Sequence, residues 1–85
     1  MTTHEWHDRD DDDVLRYVRA RLFGGRWTLH ARSEDEPDWV ELSPPPLDDL
    51  HALRDVLWRK YQRGRVPHHH VVALDALIAQ REGRG

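Results

Sequence analysis

The chain has no cysteine among its 85 residues, which removes disulfides, thiolate zinc sites and cysteine nucleophiles together. It lacks any apolar run near the roughly 20 residues that a membrane-spanning helix requires, so no membrane partner is expected. The first thirteen residues are polar and acidic where the apolar stretch of a signal peptide would begin, and a cytoplasmic location is the expectation. There is no Gly-rich phosphate loop, no nucleophile elbow and no HExxH, and Ser33 and Ser43 fall in expected loops without a positioned base. No enzymatic activity, cofactor or metal is therefore expected. Lysine appears once against twelve arginines, the bias of a GC-rich, actinobacterial-type genome. A length of 85 residues allows one domain.

What the chain does have is charge in blocks. Residues 1–13 set Arg9 against Glu5, Asp8 and the run Asp10 to Asp13, whereas residues 14–32 carry Arg16, Arg19, Arg21, Arg26 and Arg32 with no acid. Residues 33–49 hold Glu34, Asp35, Glu36, Asp38, Glu41, Asp48 and Asp49 with no base, and residues 50–65 set Arg54, Arg59, Lys60, Arg63 and Arg65 against Asp55. The formal net charge is only -3. Blocks of alternating sign either neutralise one another on a solvated surface or form a bipolar face that steers a charged partner.

Residues 1–9 read as a flexible acidic tail, with little to bury beyond Met1 and Trp6. The Asp run then reads as the cap of a first helix, Asp12 to Phe23, in which Val14, Leu15, Val18 and Leu22 recur at helical spacing and Gly24-Gly25 is the stop. Beyond it RWTLHAR alternates, with Trp27, Leu29 and Ala31 on one face. Val40 and Leu42 alternate with Trp39 and Glu41, so the two runs form a hairpin. Three prolines lead into a helix from Leu47 to about Arg63, striped by Leu50, Leu53, Val56, Leu57 and Tyr61 and closed by Gly64. A last helix runs from His68 to about Arg81 on Val71, Leu74, Leu77 and Ile78.

The expected fold is α+β: a single compact domain over 10–82 in the order helix, β-hairpin, helix, helix, with the hairpin packed on a three-helix layer and a C-terminal tail at 83–85. Its core is expected to hold Leu15, Val18, Leu22, Trp27, Leu29, Val40, Leu42, Leu50, Leu53, Leu57, Leu74 and Ile78. Arg54 falls within the apolar arc of its helix and Asp75 beside that of the next. A short connection makes these helices antiparallel, and the two residues are expected to pair.

Seven histidines raise the question of a metal. His4 and His7 would share a face only on a helix, and the consecutive His68, His69 and His70 splay apart, so no metal site is expected. A DNA-binding reading would use the helical hairpin 47–81, with Arg59, Lys60, Arg63 and Arg65 near its turn and His68 and His69 opening the second helix. The acidic chain and the apolar second helix make that the lesser alternative. A protein partner accounts for more features. A hairpin offers open strand edges, Trp39 and Glu41 lie opposite the apolar face, and the loop Glu34, Asp35, Glu36, Asp38 could meet a basic surface. Strand edges also allow a homodimer.

The stretch WVELSPPPLDDLHALRDVL, a strand, a proline-containing link and a helix, resembles the small N-terminal docking domains of nonribosomal peptide assembly lines. That resemblance rests on topology and implies a short partner segment received along a hairpin edge. The sequence is thus expected to encode a non-enzymatic protein-interaction or regulatory module, of docking, adaptor or inhibitor type, in a bacterial cytoplasm.

Overall fold

The computed structural model describes residues 2–83. The elements are β1 Thr2–Arg9, β2 Leu15–Phe23, β3 Arg26–Ser33, β4 Val40–Leu42, α1 Leu47–Gln62 and α2 His68–Arg81, a small α+β fold. They fall into two compact units, Met1–Pro44 with the strands and Pro45–Gly85 with the helices.

The first unit is a four-stranded antiparallel meander in the order β1-β2-β3-β4. This corrects the expected order of elements. The segment expected to be helix one is β2, the expected tail is β1 for its described residues, and two helices rather than three are present among the described residues. Of the expected tail at 83–85, Arg84 and Gly85 lie outside the described residues.

The physical reason for the correction lies in the turns. Gly24 and Gly25 both take positive φ, 58° and 78°, the pair of values that closes a two-residue type I′ hairpin and matches the twist of the flanking strands. The Asp run is the other turn. The Asp10 carboxylate accepts from the backbone N–H of Asp12 and of Val14, and Asp13 has φ 63°, tolerable for aspartate in the left-handed region. Held between two turns, LRYVRARLF shows a period of two, with Val18 and Ala20 fully buried and Tyr17 and Arg19 on the other face. The helical spacing of Val14, Leu15, Val18 and Leu22 was coincidental.

The register places His4, Ala20, Leu29 and Leu42 in one row and Trp6, Val18, Ala31 and Val40 in the next, which defines the apolar face. Its buried members are His4, Val18, Ala20, Trp27 and Leu29. Val40, expected in the core, is 63% exposed, because it sits on a three-residue strand at the edge of the sheet. The opposite charges of the first two blocks meet across the first hairpin. Arg16 grips Asp8 through Nε and Nη2 at 2.9 and 2.8 Å, and Arg19 Nε reaches Glu5 at 2.9 Å.

The second unit is an antiparallel helical hairpin with Leu50, Leu53, Leu57, Val71, Leu74 and Ile78 buried. Asp48 and Asp49 stand in the first turn of α1, where the helix dipole favours negative charge. Gly64, at φ 70°, ends it. Arg54 and Asp75 pair as the sequence predicts, Nε to Oδ1 at 2.6 Å and Nη2 to Oδ2 at 3.3 Å. At the far end of the hairpin Arg81 donates to the carbonyl of Pro45, and His51 Nε2 lies 3.1 Å from Glu82 Oε2.

Candidate functional site

The polar face of the sheet carries most of the sequence-predicted surface. Trp39 precedes β4 and lies on the side opposite Val40 and Leu42, as the alternation requires. Its ring is half-buried, with the Arg19 guanidinium 4.2 Å and the Arg32 guanidinium 5.7 Å from its centroid. Arg32 also stands 5.0 Å over Tyr17 and donates to the carbonyl of Glu36 at 2.9 Å. Arginine thus ties Trp39, Tyr17 and the acidic loop into one cluster. Glu34, Asp35, Glu36 and Asp38 are all exposed, with Asp35 accepting from the Ser33 hydroxyl, and Glu41 is exposed opposite His30.

Meander topology then segregates the charge. The turns 10–13 and 34–38 leave the sheet at the same end, so the two acidic clusters stand side by side. Asp8 belongs to this end. The hydrogen bond from Arg16 is the main cause holding its carboxyl below the usual value, with the charges of Arg16 and His7 acting in the same direction. At the other end Phe23, 73% exposed, lies opposite Arg26, and Arg21 lies opposite Thr28. These four residues and Glu41 line an open cavity of about 450 Å³. Sequence reasoning missed this basic end, because it read the Gly24-Gly25 turn as a helix stop.

β1 is a second feature that the sequence reading did not find. It is eight residues long and pairs with β2 along its whole length, while no described strand lies on its other side. His4 and His7 point to opposite faces of it. Among the described residues no three His, Asp or Glu side chains gather where they could hold a metal ion.

The residues of the DNA-binding alternative lie at the turn of the helical hairpin. Arg59 and Lys60 fall in the last turn of α1, Arg63 is its cap, and Arg65 lies in the connection. His68 and His69 are exposed at the start of α2, but His70 is buried, and burial, helped by the charge of His69, lowers its pKa. An aromatic strip runs alongside, Trp58 to Tyr61 at 5.5 Å and Tyr61 to His68 at 5.2 Å between centroids, with Val72 51% exposed.

Comparison with protein-family models, with curated proteins and with solved structures finds no match. The resemblance to docking domains loses its topological basis, since the element expected as the first helix is a strand. No helix among the described residues is long and apolar enough to cross a membrane.

Proposed function

We propose that the chain is a small non-enzymatic protein-interaction module of docking, adaptor or inhibitor type, acting in a bacterial cytoplasm, that accepts an extended protein segment on the open edge of β1. The observation that carries this reading is β1 itself: eight residues of regular strand with one side paired and no described strand on the other. Main-chain hydrogen bonds along such an edge supply affinity, and the side chains on either face supply selection. The acidic turns add polarity. Asp10 to Asp13 adjoin the end of β1, and Glu34, Asp35, Glu36 and Asp38 stand at the same end beside Trp39, with Glu41 further along the polar face. A basic flank on the partner fits there.

The experiment is capture from host lysate by the tagged chain, with and without nuclease, comparing wild type with His7→Pro. A protein retained through nuclease treatment by the wild type and lost by His7→Pro supports the reading; a protein that both chains retain equally counts against it. One observation favours a DNA-binding second reading, the gathering of Arg59, Lys60, Arg63 and Arg65 at one turn. That reading predicts nucleic acid in the captured material, lost together with its salt dependence in Arg59→Ala/Arg63→Ala.

A further inference from the structure

We infer that the segment accepted by the β1 edge is β1 of a second copy of this chain, paired antiparallel about Trp6. The inference rests on the strand-addition reading above and names its partner. The two-residue Gly24-Gly25 turn makes Phe23 and Arg26 the pair that exchanges hydrogen bonds, and the alternation continues through Arg21 with Thr28 and Arg19 with His30. The bond from Glu34 N to Leu15 O at 2.8 Å keeps the same phase at the other end of β2. Leu22, Ala20, Val18 and Arg16 therefore turn their amides toward β1. In β1 the groups of His4, Trp6 and Asp8 bond to β2, and those of Thr3, Glu5, His7 and Arg9 point to the open side. Asp10 N bonding to Val14 O at 3.0 Å agrees.

A second strand that uses those groups and keeps both faces in phase must set Thr3, Glu5, His7 and Arg9 against one another, because a one-residue slip would reverse every side chain. Three two-fold registers do this for at least three of the four residues. Centring on Glu5 places two carboxylates directly opposite, which is repulsive. Centring on His7 confines the pairing to residues 5–9. Centring on Trp6 pairs residues 3–9 throughout, with Thr3 opposite the partner's Arg9, Glu5 opposite the partner's His7, and the two Trp6 side chains together on the apolar face.

Two further observations favour a second copy as the occupant. The sheet is polarised along its strands, acidic at the turns 10–13 and 34–38 and basic at Arg21 and Arg26. Antiparallel pairing sets the acidic end of each copy beside the basic end of the other. In addition, β1 contains no proline and no inserted residue, two of the devices that ordinarily block edge-to-edge pairing.

Sedimentation equilibrium of the full chain from about 5 to about 300 µM tests this. The wild type is expected to dimerise with concentration. His7→Pro removes an outward N–H without touching the inner ladder, and it should weaken the dimer about tenfold or more with the far-ultraviolet spectrum unchanged. His7→Glu, which opposes the partner's Glu5 with a like charge, should also weaken the dimer, and His7→Lys, which opposes it with an unlike one, should strengthen it. A wild type that stays monomeric throughout, or a dimer that His7→Pro and His7→Glu leave intact, overturns the inference. If a monomeric wild type still captures a host protein that His7→Pro loses, strand addition stands with a different partner. If capture is equal for the two, both readings fall.

Discussion

Trp39→Ala separates two roles for the one tryptophan that stands on the polar face. Read from sequence as a contact residue, Trp39 could be removed with almost no effect on stability. Its surroundings give a different magnitude. A tryptophan buries 150 to 250 Å² when packed, so a half-buried ring keeps roughly 120 Å² from water, worth about 3 kcal/mol at ~25 cal/mol per Å² and about 2 after allowance for the compactness of unfolded chains. The Arg19 guanidinium at 4.2 Å adds about 0.5 to 1 kcal/mol as a partly exposed cation–π contact. The expected loss is about 2.5 to 3 kcal/mol by urea denaturation monitored by far-ultraviolet circular dichroism, while Trp39→Phe should lose about half as much. Arg19→Met, which keeps the aliphatic packing but not the charge, should cost about 1 kcal/mol or less. A loss under about 0.5 kcal/mol for Trp39→Ala would show that the Arg19–Trp39–Arg32 cluster contributes nothing to stability.

A double-mutant cycle on Arg54→Ala and Asp75→Ala should give a coupling of about 0.5 to 1 kcal/mol, because the pair is bidentate but its side chains are 30% and 49% exposed; additivity of the two changes would refute it. Gly25→Ala should destabilise the first unit by about 1 kcal/mol, since φ is 78° and nothing crowds the Cβ position, and Gly25→Asn should cost less. His70, whose folded pKa lies below 6.5, takes up its proton more readily when unfolded. Stability should therefore fall as pH drops from about 6.5 toward the lower folded pKa, and His70→Gln should flatten that limb of a plot of Tm against pH. Asp8 acts further down. Its lowered pKa gives stability that is present above 3.8 and lost as pH falls through the folded value, and Asp8→Asn should remove that part of the acid transition, a small part because the pair is partly exposed.

The helical half was legible in the sequence because both of its signals agreed. The stripes of α1 and α2 have one periodicity each, prolines precede both helices, and Gly64 closes the first. That was enough to place Arg54 opposite Asp75. The sheet half was legible only where alternation stood alone, in RWTLHAR and Trp39 to Leu42. In residues 14–23 two periods compete. Val14, Leu15, Val18 and Leu22 suit a helix as well as Val18 and Ala20 suit a strand, and four aspartates ahead of them suit a helix N-terminus as well as a turn. The decisive sign was Gly24-Gly25 separating two runs by two residues, which is a hairpin turn before it is a helix stop. Without β2 as a strand, β1 has nothing to pair with and its residues read as a tail. The acidic loop and Trp39 were found as a surface, but the open edge and the Arg21–Phe23–Arg26 end could not be, since both exist only in the four-stranded register.

Amide hydrogen exchange along β1, residue by residue, tests the central claim of a regular strand with one open side. In dilute solution the N–H groups of Trp6 and Asp8 should exchange slowly and those of Glu5 and His7 quickly. With the partner strand bound, at high concentration of the chain or on addition of a captured protein, Glu5 and His7 should become slow as well. Uniformly fast exchange across residues 3–9 would return the segment to a tail. Glu5 and His7 amides that stay fast in the complex would show that the edge is not where the partner binds.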